Sequence, residues 1–434
     1  MPQLARTALS LYTGAGGLDY GLEAAGFRIV ACVERDKDAR ATIGASRDWR
    51  LAERPDIASY APSELLDEFS LQEGAIDVLA AGPPCQPFSK AGWWYRDARR
   101  LADPRSDTLR MLLDVLEETL PRILLLENVR GFAYRDRDEA VTLIRSRLAA
   151  LNHTRGTNYV LRALELNSAD YGVPQRRDRL FLYACIDGAE LQLPEPTHGP
   201  GRRNPYRTAW DALGDEIPDD VEELMPSGKW AELLPTIPEG HNYLWHTRRG
   251  GGESLFGYRT RYWSFLLKLA KAMPSWTLPA TPGPSTGPFH WDSRRLARSE
   301  LQRLQTFPSD VTVVGSHTSA HRQLGNAVPS AIGELLGRLA LDYLGNKAPS
   351  GELTLIPGAR AGMPPPLPPQ PVPGWIRKKH ARPHDDHPGK GKGPGAKERA
   401  ERSRPTPIEP IGAPDIVQLP HVNQVDQPEE SVRR

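Results

Sequence analysis

Cysteine is scarce in this 434-residue sequence, which contains only Cys32, Cys85 and Cys185. The three thiols cannot all pair and form no Cys-x-x-Cys, so the sequence predicts neither a disulfide framework nor a metal site. This usage is typical of a reducing compartment, and it leaves each thiol free for chemistry.

Long apolar runs and an excess of one charge sign are missing as well. No stretch approaches the roughly 20 residues that a membrane-spanning helix needs, and the N-terminus lacks a signal-peptide layout. We therefore expect a soluble, cytoplasmic protein with no membrane partner. Because 55 Lys and Arg balance 54 Asp and Glu, any surface that binds nucleic acid must be local.

The chain is 39% hydrophobic, enough for a sizeable core. From residue 7 to about 183, short aliphatic runs alternate with amphipathic stretches, which predicts an α/β fold with a parallel sheet and crossover helices. The predicted strands are Ala8–Tyr12, Ile29–Glu34, Ile76–Ala81, Ile123–Glu127, Tyr159–Leu166 and Arg179–Ile186. The predicted helices are Leu18–Ala25, Leu109–Leu120, Arg298–Gln305 and Pro329–Leu344.

The remaining sequence divides into three parts. Residues 187–290 are rich in Pro, Gly, Trp and Arg without clear periodicity, which predicts an irregular, loop-rich module. Helical periodicity returns within 291–345. Residues 346–434 contain a proline-rich stretch followed by a basic one, and their low apolar content predicts a disordered tail.

A glycine turn follows the first predicted strand, with Gly14, Gly16 and Gly17 in the letters SLYTGAGGL. Such a turn lets a ligand approach the backbone. Asp19 stands where a dinucleotide fingerprint needs glycine, which disfavours a pyrophosphate. Glu34 ends the second strand, where an acidic side chain can bind ribose hydroxyls. The pattern favours an adenosine-bearing cofactor, although a turn that only packs a helix on a sheet is the alternative.

Two more reactive side chains follow predicted strands. Cys85 comes after the third strand on a turn stiffened by Pro83 and Pro84, and Glu127 ends the fourth. Since the reactive crevice of an open α/β sheet lies at the carboxyl ends of its strands, a nucleophilic thiol and a proton-sharing carboxyl would meet there. The alternatives are a buried structural cysteine and a glutamate that caps a helix or pairs with an arginine.

In this order the segments resemble the motifs of the cytosine-5 DNA methyltransferases, in particular the bacterial restriction-modification type. The similar segments are SLYTGAGGLDYGLEAAGF, CVERDKDA, Asp56-Ile57, GPPCQPFSKAG, DPRSDTL, LLLENVRGF, YGVPQRRDRLF, RRLARSELQRLQTFP and QLGNAVPSAI. The resemblance covers about residues 7–186 and 291–340. Ser10 departs from it, since an acidic residue is common there, and so does Tyr12, where phenylalanine is common.

The resemblance implies a Rossmann-like, S-adenosylmethionine-dependent methyltransferase domain, formed by residues 1–186 and 291–345. Residues 187–290 would be a smaller target-recognition domain. The implied enzyme is a DNA (cytosine-5-)-methyltransferase that methylates carbon 5 of a flipped cytosine in a specific double-stranded DNA sequence. It would protect that DNA from a cognate restriction endonuclease. We expect a monomer associated with the nucleoid.

The resemblance also assigns roles to residues. Cys85 would attack carbon 6 of the base, Glu127 would share a proton with its N3, and Arg179, with Arg177 and Gln175 behind it, would hold it. The cofactor-binding residues would be Tyr12, Gly14, Gly16, Gly17, Leu18, Glu34, Asp56, Ile57, Asn326 and Val328.

Contacts to DNA are expected from two regions. Residues 86–106 combine a possible glycine hinge with basic residues, which suits a closing lid that binds phosphates. The predicted contacts there are Ser89, Lys90, Arg96 and Arg99. In the recognition region, Arg248, Arg249, Arg259 and Arg261 are candidates, though each could equally be an ordinary surface charge.

Three alternative functions remain open at this point. A relative that methylates tRNA would carry nearly the same motifs, although the long region 187–290 favours duplex DNA. A nicotinamide oxidoreductase is opposed by Asp19 and by the Pro-Pro-Cys turn. A catalytically silent DNA-binding protein is opposed by the joint presence of Cys85, Glu127, Arg179 and Asn326.

Overall fold

The computed structural model describes residues 5–84, 107–129, 139–218, 221–248, 250–256, 263–346, 349, 351–358 and 362–380. Six strands of this part form one sheet: β1 Thr7–Leu11, β2 Arg28–Val33, β3 Val78–Ala81, β4 Ile123–Asn128, β5 Arg162–Asn167 and β6 Asp178–Cys185. Their order across the sheet is β2-β1-β3-β4-β6-β5. The predicted α/β architecture is confirmed.

The helices are α1 Gly17–Ala25, α2 Lys37–Ser46, α3 Pro62–Phe69, α4 Asp107–Thr119, α5 Glu139–Arg155, α6 Ala209–Leu213, α7 Arg298–Leu304, α8 His317–Asn326, α9 Ser330–Tyr343 and α10 Gly374–His380. Among the described residues, no helix combines the length and apolar character that a bilayer crossing requires. Cys32 and Cys185 are buried free thiols.

Helices cover both faces of the sheet, which explains why its central strands read as continuous apolar runs. Side chains alternate between the faces. Leu9 and Leu79 belong to one hydrophobic cluster, with helices α3, α4 and α5. Ala8 and Val78, one residue before them, belong to a second cluster with α1 and α9. The strands are therefore buried on both sides.

The direction of β6 differs from the predicted parallel sheet. Strands β1 to β4 are parallel, but β6 runs antiparallel to both β4 and β5. Ten residues, 168–177, join β5 to β6, whereas a parallel crossover needs about a dozen or more. As a result the first residues of β6 lie beside the last residues of β4, with Asn128 opposite Leu180.

Helices α1 and α9 approach each other almost backbone to backbone. A Cβ on Gly21 would lie 2.2 Å from the carbonyl oxygen of Ser330, so only glycine fits at this crossing. The turn that enters α9, residues 327–329, is thereby held over the first turn of α1. A late segment of the chain thus closes on the glycine turn after β1.

The described part of residues 187–290 forms short elements around its own hydrophobic cluster, which includes Trp230, Tyr243 and Phe265. Apart from isolated bridges, no strand occurs in that part, as the sequence texture predicts.

The region after residue 346 differs from the predicted disordered tail. Val372 and Ile376 are buried in this hydrophobic cluster of residues 187–290, and Gln370 donates its backbone N–H to the carbonyl oxygen of Pro235 at 3.0 Å. Thr354 donates its backbone N–H to Glu334 of α9 at 2.7 Å. Residues 351–358 and 362–380 therefore pack on the folded chain, and residues 381–434 lie outside the described part.

Candidate functional site

A cavity of about 400 Å³ opens at the edge of the sheet where β1, β3 and β4 end. The parallel register aligns Leu11 with Ala81 and Ala81 with Leu126, so the residues after these three strands meet at one edge. The turn between α8 and α9 forms the opposite wall. The volume is in the range of pockets that bind small molecules.

The glycine turn forms the floor of the cavity. Tyr12, Gly14 and Gly16 all have positive φ, at 56°, 59° and 85°, which bends the chain sharply into α1. A Cβ on Gly17 would lie 2.2 Å from the carbonyl oxygen of Val328. The close approach of these two segments brings predicted residues of the first and of the last motif into one cavity lining. Gly16 of the glycine turn is not part of that lining.

Tyr12 is fixed across the cavity by its hydroxyl, which donates to the carbonyl oxygen of Thr108 in α4 at 2.6 Å. Burial raises its pKa above the usual range, so the phenol stays neutral. Its ring contributes an apolar surface beside Leu18, which also lines the cavity.

Acidic residues line the side of the cavity next to β2. The Glu34 carboxylate accepts hydrogen bonds from the backbone N–H groups of Gly14, at 2.7 Å, and Asp36, at 2.6 Å. Asp56 caps a short 3-10 helix by accepting from the N–H of Ala58 at 3.1 Å, and the next residue, Ile57, is buried. The predicted cofactor-binding residues of this side are therefore together.

The charges that line the cavity are unequal. Three arginines are present, and each is paired with a carboxylate of the lining: Arg322 with Asp36 at 2.7 Å, Arg35 with Asp56 at 3.4 Å, and Arg179 with Glu127 at 2.6 Å. Two more carboxylates, Asp19 and Glu34, line it without a cationic partner among the described residues. This arrangement disfavours a phosphate and suits a nucleoside that carries positive charge.

Glu127 and Arg179 form an ion pair in the lining of the cavity. The contact joins Nε of Arg179 to Oε1 of Glu127; it is an ion pair without aligned hydrogen-bond geometry, because this Nε has no hydrogen-bond partner among the described residues. The antiparallel direction of β6 produces the contact, since it brings the start of β6 to the end of β4. The sequence analysis gave pairing with an arginine as an alternative role of Glu127, and this pairing is present within the cavity lining.

Arg177 lies behind the cavity, not in its lining. The side chain is fully buried, and its Nη atoms donate to the carbonyl oxygens of Leu278 at 3.3 Å, Gly325 at 2.8 Å and Ala327 at 2.8 Å. Burial lowers the pKa of Arg177, and the three carbonyls compensate the buried charge. Arg177 therefore fixes the turn that leads to Val328.

Gln175 is also buried behind the cavity, where its side chain links three backbone and side-chain partners. Its Nε2 donates to the carbonyl oxygen of Leu304 at 3.2 Å and to Oε1 of Gln305 at 3.0 Å. Its Oε1 accepts from the backbone N–H of Leu278 at 3.0 Å. Gln175 and Arg177 thus join the sheet to the C-terminal segments, while Arg179 alone of the predicted triplet reaches the cavity.

The turn after α8 places Asn326 and Val328 in the cavity lining. Val328 is buried, whereas Asn326 is exposed and so accessible to a ligand. Both positions agree with the sequence-based prediction that this turn closes the pocket.

The strand end that leads to Cys85 is described only up to Pro84. Pro83 and Pro84 line the cavity, and the side-chain amide of Asn128 donates to the carbonyl oxygen of Pro83 at 3.4 Å. Arg248 is exposed. The other predicted residues lie outside the described part: Cys85, Ser89, Lys90, Arg96, Arg99, Arg249, Arg259 and Arg261.

Sequence reasoning assigned no role to four charged residues of the lining: Asp19, Arg35, Asp36 and Arg322. In the sequence, Asp19 was noted only because it replaces a glycine of the dinucleotide fingerprint. Its place one helical turn after the glycines could have indicated the pocket. Arg322 lies mid-helix in α8 and carries no local signal.

Most of the chain is similar to known proteins. A family model described as C-5 cytosine-specific DNA methylase matches residues 7–339. The Type II methyltransferase M.SacI of Streptomyces achromogenes is 35% identical over 370 residues, which are 78% of this chain and 93% of the relative. M.PspPI of a Psychrobacter strain is 30% identical over 366 residues, covering 80% of this chain and 82% of the relative.

Solved structures show the same fold. An E. coli prophage-encoded DNA modification methyltransferase superimposes with a TM-score of 0.56 at 22% identity, over 79% of this chain and 100% of that one. The S. pombe Dnmt2 methyltransferase gives a TM-score of 0.53 at 19% identity, over 78% and 99%. The sheet described above is therefore of the Rossmann-like methyltransferase type.

Proposed function

Since the chain belongs to the C-5 cytosine-specific DNA methylase family, we propose that it methylates carbon 5 of one cytosine within a specific duplex DNA sequence, using S-adenosylmethionine. At the coarser level it is a cytosine-5 DNA methyltransferase of the restriction-modification type. The observation that carries the finer proposal is the single sheet edge that holds both the glycine-turn cavity and the Glu127–Arg179 pair.

The cavity fits S-adenosylmethionine better than a dinucleotide. Glu34 and Asp56 would hold the ribose and adenine side, and Asn326 and Val328 would close the pocket over the rest. Because every lining arginine is already paired, a pyrophosphate would lack a free cation, whereas a sulfonium nucleoside is favoured by the acidic lining. When bound, this cofactor supplies an electrophilic methyl group.

The protein's own residues must activate the base, because carbon 5 of cytosine is a poor nucleophile. In the proposed reaction the Cys85 thiolate adds to carbon 6, and ring N3 gains a proton shared by Glu127. The resulting enamine uses its carbon 5 to accept the methyl group. Removal of the carbon 5 proton by a base then allows the thiolate to leave from carbon 6, which restores the aromatic ring.

Arg179 would fix the Glu127 carboxyl toward the base through their ion pair. Arg177 and Gln175 act as positioning residues: Arg177 holds the turn at Ala327 directly, and Gln175 holds Leu304 and Gln305 at the end of α7. Cys85 follows directly on Pro84, a residue of the cavity lining, so the attacking thiol and the methyl donor would share this edge.

The proposed contacts with DNA include residues outside the described part of the chain. Reaching carbon 6 in a duplex requires rotation of the cytosine out of the stack, at a cost of a few kcal/mol. We assign this closure to residues 86–106 and the sequence preference to residues 187–290, including the exposed Arg248. Protection of DNA from a cognate endonuclease, by a monomeric enzyme at the nucleoid, completes the proposal.

A covalent trap tests the proposal. In duplex DNA that contains 5-fluorocytosine, the fluorine cannot leave as a proton, so the adduct between Cys85 and carbon 6 should accumulate once a methyl group has been transferred. We expect a denaturation-resistant protein–DNA complex that requires S-adenosylmethionine and is absent from Cys85→Ser. Duplexes with ordinary cytosine serve as the control. A complex that persists in Cys85→Ser would contradict the nucleophile assignment, and trapping on tRNA alone would contradict the duplex substrate.

A further inference from the structure

We infer that Asp19 binds the α-ammonium group of the cofactor's amino-acid portion. This inference rests on the proposed function, because it requires S-adenosylmethionine or its demethylated product in the cavity. It adds to the predicted site a residue that was not assigned a role there.

The geometry of Asp19 is the first argument. Asp19 lies in the first turn of α1 and lines the cavity, yet its side chain is almost fully buried, with 1% of its surface exposed. Oδ1 of this carboxyl is buried and has no hydrogen-bond partner among the described residues. A buried polar atom without a partner is destabilising, so a donor from a ligand would be favourable there.

The other carboxylates of the lining are already satisfied. Asp36, Asp56 and Glu127 are paired with arginines, and Glu34 accepts two backbone hydrogen bonds. Asp19 is the lining carboxylate with an unsatisfied buried oxygen within the described part of the chain. A cationic donor that enters the cavity would therefore find its partner at Asp19.

The chemistry of the cofactor selects the ammonium group. The sulfonium carries positive charge but has no N–H, so it cannot satisfy Oδ1 as a hydrogen-bond donor. The exocyclic amine of adenine is a neutral donor and compensates a buried carboxylate less well than a charged one. The α-ammonium has three N–H groups and a positive charge.

The protonation state of Asp19 provides a second way to test the inference. Burial raises the pKa of Asp19 to about 7, and the Ser10 hydroxyl opposes this shift. Its titratable neighbours are Glu23, Cys32 and Tyr20. Glu23 pairs with Arg47 at 2.7 Å, and burial raises the pKa of both Cys32 and Tyr20. Asp19 is therefore partly protonated near neutral pH, and binding of a cation would release that proton.

The test compares two ligands by titration calorimetry at pH 8. One is S-adenosylhomocysteine, and the other is its deamino analogue, in which hydrogen replaces the α-ammonium. We expect Asp19→Asn to weaken S-adenosylhomocysteine about tenfold or more and to change the affinity of the deamino analogue less than twofold. Asp67→Asn, an exposed carboxylate of α3 outside the cavity, should change neither.

The outcomes separate this inference from the proposed function. If the wild-type protein binds neither ligand, both fail. If it binds S-adenosylhomocysteine and Asp19→Asn weakens both ligands equally, or neither, the inference alone is overturned.

Should Asp19→Asn fail to fold, the wild-type protein decides the matter. Its preference for S-adenosylhomocysteine over the deamino analogue should fall as the pH is lowered from 8 to 5.5, because Asp19 becomes protonated. A preference that does not change over this range would overturn the inference.

Discussion

Glu127 is the residue on which proton transfer depends in the proposed reaction. Glu127→Gln keeps the shape of the side chain but removes the transferable proton. We expect kcat to fall at least about 100-fold, while the affinity for S-adenosylhomocysteine changes little. Methyl transfer to duplex DNA and calorimetric titration measure the two quantities.

Glu118→Gln provides the matched control for that change, since Glu118 is exposed on α4 and does not line the cavity. It should keep wild-type activity. A Glu127→Gln variant with unaltered kcat would show that another group supplies the proton.

Asp19 links the stability of the ligand-free protein to pH. Its pKa is about 7 in the folded state and 3.8 for the unperturbed group, so between these values the folded protein binds more protons than the unfolded one. Its stability therefore falls as the pH rises through this window and levels off above pH 7. Asp19→Asn removes this dependence.

Thermal denaturation at pH 5 and pH 8 checks that sign. The Tm of Asp19→Asn, measured relative to wild type, should rise by a few degrees from pH 5 to pH 8. An equal difference at both pH values would mean that Asp19 does not titrate in this range.

At the scale of elements, the crossing of α1 and α9 holds residues 327–329 over the cavity. Gly21→Ala would place a Cβ 2.2 Å from a backbone oxygen of α9, so we expect the free energy of unfolding to fall by about 1–3 kcal/mol. Binding of S-adenosylhomocysteine should weaken as well, because the turn at Val328 moves with α9. Urea denaturation and calorimetry measure the two effects.

Gly44→Ala tests whether the crossing itself matters. Gly44 lies inside α2, and a Cβ there meets no atom within 4 Å, so alanine should raise stability by up to about 1 kcal/mol. Equal losses from both substitutions would argue against the close α1–α9 contact as the cause.

The segment 362–380 contributes Val372 and Ile376 to the hydrophobic cluster formed within residues 187–290. Ile376→Ala removes a side chain with 1% exposure from the hydrophobic cluster, and we expect a loss of about 2–5 kcal/mol in the unfolding of that region. Leu367→Ala, at 69% exposure in the same segment, should stay within about 0.5 kcal/mol. Denaturation followed by tryptophan fluorescence, with Trp230 and Trp245 as reporters, distinguishes the two.

The sequence predicted the elements better than their directions. Apolar runs locate β1 to β6 because burial on both faces leaves a clear pattern, but the pattern is the same for a parallel and an antiparallel strand. The short link 168–177 could have indicated the reversal of β6. The packing of Val372 and Ile376 could not have been predicted from a proline-rich segment, because it depends on a surface that forms only when residues 187–290 fold.

For the whole molecule, the order of motifs was enough to predict which distant segments share a site. Gly14, Glu127 and Val328 meet at one cavity because strand ends converge and α9 returns to α1. The charge balance of that cavity was not predictable, since the net charge of the chain is close to zero and the ion pairs arise only on folding. The raised pKa of Asp19 results from burial, which cannot be predicted from its position in the sequence.

The central claim is that this chain places methyl groups on carbon 5 of cytosine at one recurring sequence in duplex DNA. Bisulfite sequencing of DNA from cells that express the wild-type chain or Cys85→Ser tests it most directly. We expect 5-methylcytosine at a single recurring sequence with the wild-type chain and none with the variant. The claim would be contradicted by unmethylated or randomly methylated DNA from the wild type, or by the same pattern from Cys85→Ser.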